Sequence, residues 1–185
     1  MNRDRLALTA LSNCGFVTKT QLNNYIKDNR INSYIKEKLI VKSIHVDNKN
    51  NSVTAYKLTN KGKEVLTKNF GVTNHYSARS ISHDIKLSNR YFTLSEKEQA
   101  TWRTESHIRD LFNTKMEQIR EQDLDRYREI TEQKISMPDC SYTLETGIEV
   151  YFEVITINYT QSDIEAKERT FNILKESNSR YETTR

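Results

Sequence analysis

Ile40–Leu66 reads IVKSIHVDNKNNSVTAYKLTNKGKEVL: two β-rich runs around a polar turn, then the start of a helix. In the first run Val41, Ser43, His45 and Asp47 alternate with Ile40, Lys42, Ile44 and Val46. On the return, Val53, Ala55 and Lys57 alternate with Thr54, Tyr56 and Leu58, the period of two expected of strands. The tip, Asn48-Lys49-Asn50-Asn51, has turn chemistry and one positive charge. Thr59-Asn60 leads into the helix. Upstream, Thr18 is a plausible N-cap with Gln21 three residues later, the spacing of a capping box. The helix that follows would bury Leu22, Tyr25 and Ile26. A third helix runs from about Ile31 to Leu39, with Ile31, Ile35 and Leu39 facing the core at i, i+4, i+8 spacing. At the front, Leu6, Leu8, Leu11 and Phe16 supply an apolar stripe, and Gly15 stands where a helix C-cap would.

Helix, helix, strand, basic turn, strand is the order of a winged helix-turn-helix. The segment Tyr56-Lys-Leu-Thr-Asn-Lys-Gly62 resembles the end of many bacterial winged-helix domains. The module expected is residues 1–72, and its expected partner is duplex DNA. Arg30, Asn32, Ser33, Lys36 and Lys38 are left for the outer side of the third helix, which would enter the major groove. Arginine reads guanine edges and asparagine reads adenine. Lys19 and the wing-tip Lys49 would add backbone contacts. The plainer reading of the same residues is a solvated helix face.

Charge is distributed unevenly. Residues 1–74 hold 13 Lys and Arg against 5 Asp and Glu, a net of +8; the remainder holds 16 against 20, a net of −4. Two modules with different tasks are implied, the basic one suited to releasing counterions from a phosphate backbone. Four glycines and one proline, with abundant Ile, Tyr and Phe, are not the composition of a disordered chain. Cys14 and Cys140 form no CxxC, which points to a reducing cytoplasm and no structural zinc. No apolar run approaches a membrane span and the N-terminus has no leader pattern, so no membrane partner is expected. P-loop, GxGxxG and HExxH patterns are lacking, which argues against nucleotide chemistry and zinc-protease chemistry. The ten tyrosines lack the histidine cluster that tyrosine relaxases use.

The back half, 75–185, is expected to begin with a helix over His75–Leu94 that carries Ser82-His83-Asp84. His83 there is a candidate base or ligand, or simply a packing residue. Thr101–Glu105 reads as a short strand. Residues 113–134 are charged, with Met116, Ile119, Leu124, Tyr127 and Ile130 as possible anchors, and read as a surface insertion or a solvated helix. Ser162–Leu174 reads as a helix, and SNSRYETTR as a polar tail. The chemistry lies in KISMPDCSYTLETGIEVYFEVITI. Gly147, third in Glu145-Thr146-Gly147, suits a three-residue hairpin loop. Leu144 then opposes Ile148, and Asp139 opposes Glu153. Direct cross-strand neighbours have Cβ atoms ~5 Å apart. Two carboxylates that close need a positive partner, and a divalent metal held by Asp139 and Glu153 is the obvious one.

A strand-borne Glu105, then Pro138-Asp139, then Glu153 after a hairpin, resembles the PD-(D/E)xK nuclease core. With the N-terminal winged helix, the chain resembles the replication-relaxation family of bacterial plasmids and mobile elements over nearly its full length. The fold class implied is α+β, a winged helix followed by an α/β PD-(D/E)xK-like domain. The resemblance implies Mg²⁺ on Asp139 and Glu153, with Glu105 as the early acid. It also implies action at a plasmid or mobile-element origin, with a relaxosome or replication protein as partner. The family's lysine, two places after the second acid, is missing: Ile155 stands there. Lys167, on the next helix, is the candidate replacement. The rival reading is a non-enzymatic DNA-binding regulator whose back half is a catalytically silent interaction domain.

Overall fold

A computed structural model describes residues 3–46 and 52–185. Two compact units result, one ending at Ser95 and one spanning Glu96–Arg185.

The front unit runs α1 (Arg3–Cys14), β1 (Val17–Thr18), α2 (Lys19–Leu22), α3 (Asp28–Lys36), β2 (Ile40–Val46), β3 (Ser52–Leu58), α4 (Asn60–Phe70) and α5 (Ile81–Thr93). Its antiparallel sheet has the order β1-β3-β2, with Val17 opposite Tyr56 and Ile40 opposite Leu58. This is the topology of a winged helix-turn-helix. The expected Thr18–Gln21 capping box is present, although α2 is a single turn and Tyr25 and Ile26 are buried beyond it. In α1 the small side chains Ala7, Ala10 and Cys14 are buried beside Leu8 and Leu11, while Leu6 is only half-buried.

The third helix, Asp28–Lys36, starts and ends about three residues earlier than its apolar spacing suggests, and it ends in a Schellman motif. Lys38 adopts φ 59°; its N–H donates to the carbonyl of Ile35 (3.0 Å), and that of Leu39 to Tyr34 (2.8 Å). The Tyr56–Gly62 segment clasps this corner. Thr59 caps α4 through the Gly62 N–H (3.0 Å) and donates its hydroxyl to the Lys38 carbonyl (2.6 Å). Lys61 donates to the Glu37 carbonyl at 2.9 Å. A Cβ on Gly62 would collide with the carbonyl oxygen of Leu39, so only glycine allows α4 this close.

The boundary expected at residues 72–75 lies instead after α5. That helix packs on α1 and β1. Buried Gln21 donates to Asn89 (2.9 Å) and accepts from Ser88 (3.1 Å), which ties α5 to the helix-turn-helix. Residues 75–80, expected as helix, are irregular; Ser80 starts the helix by capping the His83 N–H.

The back unit runs α6 (Glu96–Gln99), β4 (Arg103–Thr104), α7 (Glu105–Gln122), α8 (Leu124–Thr131), β5 (Cys140–Thr143), β6 (Glu149–Val154), α9 (Gln161–Leu174) and β7 (Ser179–Thr184). Its sheet has the order β4-β5-β6-β7; the first three strands are antiparallel neighbours and β7 is parallel to β6. The hairpin has the expected register: Leu144 and Ile148 face each other across a loop closed by Gly147 at φ 81°. Most of 113–134 is helical, in α7 and α8, so of the two expected readings the helix holds. Ile108, Phe112, Met116 and Ile119 of α7 form a core with Ile130, Met137 and Tyr151, while Leu124 stays exposed. The polar tail is instead the edge strand β7. Tyr181 secures it, its ring 5.6 Å from that of Phe171. No helix among the described residues is long and apolar enough to cross a membrane.

Lys38 holds a left-handed conformation that disfavours side chains with a Cβ. Lys38→Gly therefore raises front-unit stability by about 0.5–1 kcal/mol, measurable by chemical denaturation; an unchanged or lower midpoint would show that the corner is unstrained.

Candidate functional site

On the front unit, α3 presents Asn32 and Lys36 to solvent. Arg30, expected beside them, turns back. Its guanidinium grips Asp4 of α1 in a two-pronged pair, Nε to Oδ1 at 3.1 Å and an Nη to Oδ2 at 2.7 Å, and stacks 4.7 Å from the Tyr34 ring centroid. The role this geometry gives Arg30 is to fix α3 against α1. Lys19 pairs with Asp28 at 2.7 Å in the open. Ser33 donates within its own helix to the Asn29 carbonyl (3.1 Å). Lys38 is exposed but its backbone belongs to the helix-ending motif. Lys49 lies outside the described residues. Tyr34, which supports Arg30, could have been found from its i+4 spacing; the partner Asp4, on another helix, could not.

On the back unit, the antiparallel register of β5 and β6 extends to place Asp139 opposite Glu153. Both are buried, at 0% and 1% exposure. The Asp139 N–H donates to Glu153 Oε2 (3.0 Å), and the Val154 N–H to Asp139 Oδ2 (2.9 Å). Lys167, also buried, brings its Nζ to 2.9 Å from Glu153 Oε2 and 2.7 Å from the Met137 carbonyl. Tyr159 donates its hydroxyl to Glu153 Oε1 at 2.8 Å.

Residues 134–137 are laced to α9, and this positions the lysine. Lys134 pairs with Asp163 (2.6 Å) and Arg169 donates to the Lys134 carbonyl (3.1 Å). The Ser136 N–H reaches the Ala166 carbonyl (3.3 Å), and Thr170 donates to the Ser136 carbonyl (2.8 Å). One face of α9 thus holds the chain entering β5, and Lys167 lies on that face.

Burial pushes the Glu153 carboxyl up to about 7, and the charge of Asp139 adds to the rise; Lys167 and the Tyr159 hydroxyl act against it. Burial, and then the charges of Glu153, Glu168 and Asp139, raise the Tyr181 phenol. Two carboxylates facing one ammonium leave an excess of negative charge that a proton or a cation would offset.

Glu105 is the first residue of α7, not a strand residue, because β4 ends at Thr104; its carboxylate accepts from Arg109 at 2.8 Å. It directly follows Thr104, whose register partner Cys140 directly follows Asp139. His83 and Asp84 lie in the front unit as a buried pair (Nδ1 to Oδ1 3.1 Å), joined by the Tyr76 hydroxyl and the Arg79 N–H. A Cβ on Gly15 would overlap Asp84, so this cluster is part of the packing of α5 on α1. Cys14 and Cys140 are buried and form no disulfide. Among the described residues no group of three or more His, Cys, Asp or Glu side chains could hold a metal ion. The candidate centre is therefore two carboxylates and a lysine.

No protein-family model matches the chain, and no curated protein is significantly similar to it. Among solved structures, the chain is similar to Bacillus subtilis PadR in complex with operator DNA, at 10% identity and a TM-score of 0.27 over 92% of each chain. The winged-helix assignment rests on the front unit's own strand order and helix placement.

Two outcomes are expected. Hydrogen bonding from Arg30 holds the Asp4 carboxyl below its ordinary 3.8. A depressed carboxyl stabilises the fold above the unfolded value and loses that contribution as pH falls through the folded one. Front-unit stability should thus decline below about pH 4, and Asp4→Asn should flatten that decline in acid titration followed by circular dichroism; an unaltered acid limb would exclude the pair as its source. Removing one partner of a buried ion pair costs about 3–5 kcal/mol. Lys167→Met should lose that much in urea unfolding, and adding Glu153→Gln should restore much of it; a loss below about 1 kcal/mol would mean the pair is not buried as described.

Proposed function

We propose that the protein binds duplex DNA through its winged helix and cleaves or nicks a phosphodiester with its back unit. In this reading the back unit is a divergent PD-(D/E)xK-like domain in which Lys167 replaces the lysine missing after Glu153. The observation that carries it is the ammonium of Lys167, buried and 2.9 Å from Glu153 Oε2, on the same oxygen that accepts the Asp139 N–H. Three side chains far apart in sequence converge there in the chemistry that hydrolysis needs. The β5–β6 hairpin and the β6–α9–β7 crossover surround them.

Asp139 and Glu153 offer hard oxygens that suit Mg²⁺, which when bound would polarise a phosphoryl oxygen. The Val154 N–H fixes the Asp139 carboxylate, and Lys167 fixes Glu153. The lysine charge would offset negative charge gathering on the phosphate. Glu105, next in the chain after the β4 residue that pairs with Cys140, would bind or orient from the head of α7. On the DNA, Asn32 and Lys36 would face the groove, with Lys19, Ser33, Lys38 and Lys49 around them and Arg30 setting the angle of α3. An origin on a plasmid or mobile element, with a relaxosome or replication protein alongside, fits this pairing of recognition and cleavage.

One observation favours the non-enzymatic rival, in which the back unit serves only interaction: both oxygens of Glu153 are already engaged.

The test is a nicking assay on supercoiled plasmid carrying the protein's gene neighbourhood, with Mg²⁺ or Mn²⁺, beside a gel shift on the same DNA. Wild type should relax the plasmid, and Asp139→Asn and Glu153→Gln, shown folded by circular dichroism, should not. Asn32→Ala with Lys36→Ala should weaken the shift, and Lys36→Ala alone should reduce the salt slope by about 1. A shift without nicking would establish the regulator; no salt-dependent shift would overturn the DNA reading itself.

A further inference from the structure

Of the three groups bonded to Glu153, two are built into regular structure or a laced segment. The Asp139 N–H enters β5, Lys167 is on α9, and the ammonium is held in turn by the Met137 carbonyl. The third, Tyr159, belongs to the linker between β6 and α9, residues 155–160. That linker is anchored at its ends. The Ile155 N–H bonds the Thr184 carbonyl (2.7 Å), and Thr160 caps α9 with Asp163. Between these points it packs poorly: the Ile157 side chain is wholly exposed. Tyr159 itself is only half-buried, whereas Asp139, Glu153 and Lys167 are fully buried. The phenol also lies beside the lysine, with Nζ 5.7 Å from the ring centroid.

Glu153 Oε2 already accepts from the Asp139 N–H and from Lys167, so both its lone-pair directions are used. Oε1 is left for an incoming ligand, and on Oε1 sits the one partner that is half-exposed and borne by a loosely packed segment. A second polar group points to a ligand here. Ser141, two residues along β5 from Asp139 and so on the same face, is completely buried. Its hydroxyl has no hydrogen-bond partner among the described residues.

We propose that Tyr159 is a latch on this site: its hydroxyl occupies Glu153 Oε1 and yields it to a divalent cation, so that movement of linker 155–160 governs access. This rests on the reading that Asp139 and Glu153 hold a cation, and it makes Tyr159 a positioning residue rather than a catalytic one. Breaking one part-buried hydrogen bond is a modest barrier, so the latch sets affinity and access rate without closing the site permanently.

The test is Mn²⁺ binding to the full chain at pH 8.5, read by electron paramagnetic resonance, with the association rate from stopped flow. Wild type, Tyr159→Phe, Tyr159→Ala and Asp139→Asn are compared, each shown folded by circular dichroism. Tyr159→Phe keeps the ring over Lys167 and removes only the hydroxyl. A latch predicts that Tyr159→Phe binds Mn²⁺ about three- to tenfold more tightly, that both Tyr159 variants load faster, and that Asp139→Asn loses binding. If Asp139→Asn loses binding but the Tyr159 variants bind equally or more weakly, the latch is overturned and the cation site stands. If Asp139→Asn binds as wild type does, or none of the proteins binds, the cation site fails and the latch with it.

Discussion

Burying a charge is the most expensive thing the back unit does. Each ion moved from water into a protein interior costs several kcal/mol even after relaxation, and here Asp139, Glu153 and Lys167 are all removed from solvent. The arrangement holds because nearly every neighbour is recruited to it. Backbone N–H groups of Asp139 and Val154 each satisfy the opposite carboxylate, and the Met137 carbonyl shares the ammonium. The hairpin loop sets the register that brings residue 139 opposite 153. The row of bonds from Lys134 to Ser136 sets the rotation of α9 that brings Lys167 within reach. A one-residue slip in either would strand a carboxylate in apolar surroundings, so the cluster specifies the sheet register as much as the sheet positions the cluster.

The front unit meets a different constraint with a similar economy of parts. A winged helix must end its third helix abruptly so that the chain can turn into the wing. Here the turn is made without glycine, at Lys38, and the glycine stands on the opposing helix, at Gly62. Thr59, Lys61 and Gly62 secure the same corner through a cap, a lysine-to-carbonyl bond and a close approach. The Asp4–Arg30 pair then holds the free side of α3 against α1. What the helix can offer to a partner is therefore decided by side chains that face away from it. Arg30, by composition the strongest base reader on α3, is spent on orientation.

Short-range signals were the legible ones. The Thr18 capping box, the Gly147 loop and the wing's alternation each state a local geometry, and the Asp139–Glu153 pairing follows from counting along one hairpin. The misses are contacts that local pattern does not encode. Nothing in the periodicity of α5 says that it closes the front unit; that depends on buried Gln21 bonding Ser88 and Asn89, nearly seventy residues away. The strand β7 reads as a polar tail because it lies at the sheet edge and buries little beyond Tyr181, while its pairing with β6 is through the backbone. Residues 113–134 read as a surface insertion or a solvated helix, and the choice stays open in sequence because the apolar residues of α7 occupy one narrow stripe in a charged helix, enough to close a core from one side only.

The ammonium that pairs with Glu153 comes from another element of the fold, not from the strand that carries the carboxylate. A lysine two residues after Glu153 would share its face of the strand, by the alternation of side chains. Ile155 occupies that place, yet the ammonium is still delivered to the same carboxylate, from the helix that crosses over to β7. Electrostatics depends on where the charge ends up, not on which element carries it. The two solutions differ in what else they control. A lysine on the strand is fixed by the strand alone. Lys167 is fixed by α9, whose first turn is joined directly to linker 155–160 and capped by Thr160, the residue after Tyr159. The cation and the phenol that share Glu153 are therefore borne by one continuous stretch of chain, and a shift of that stretch alters both oxygens of the carboxylate together.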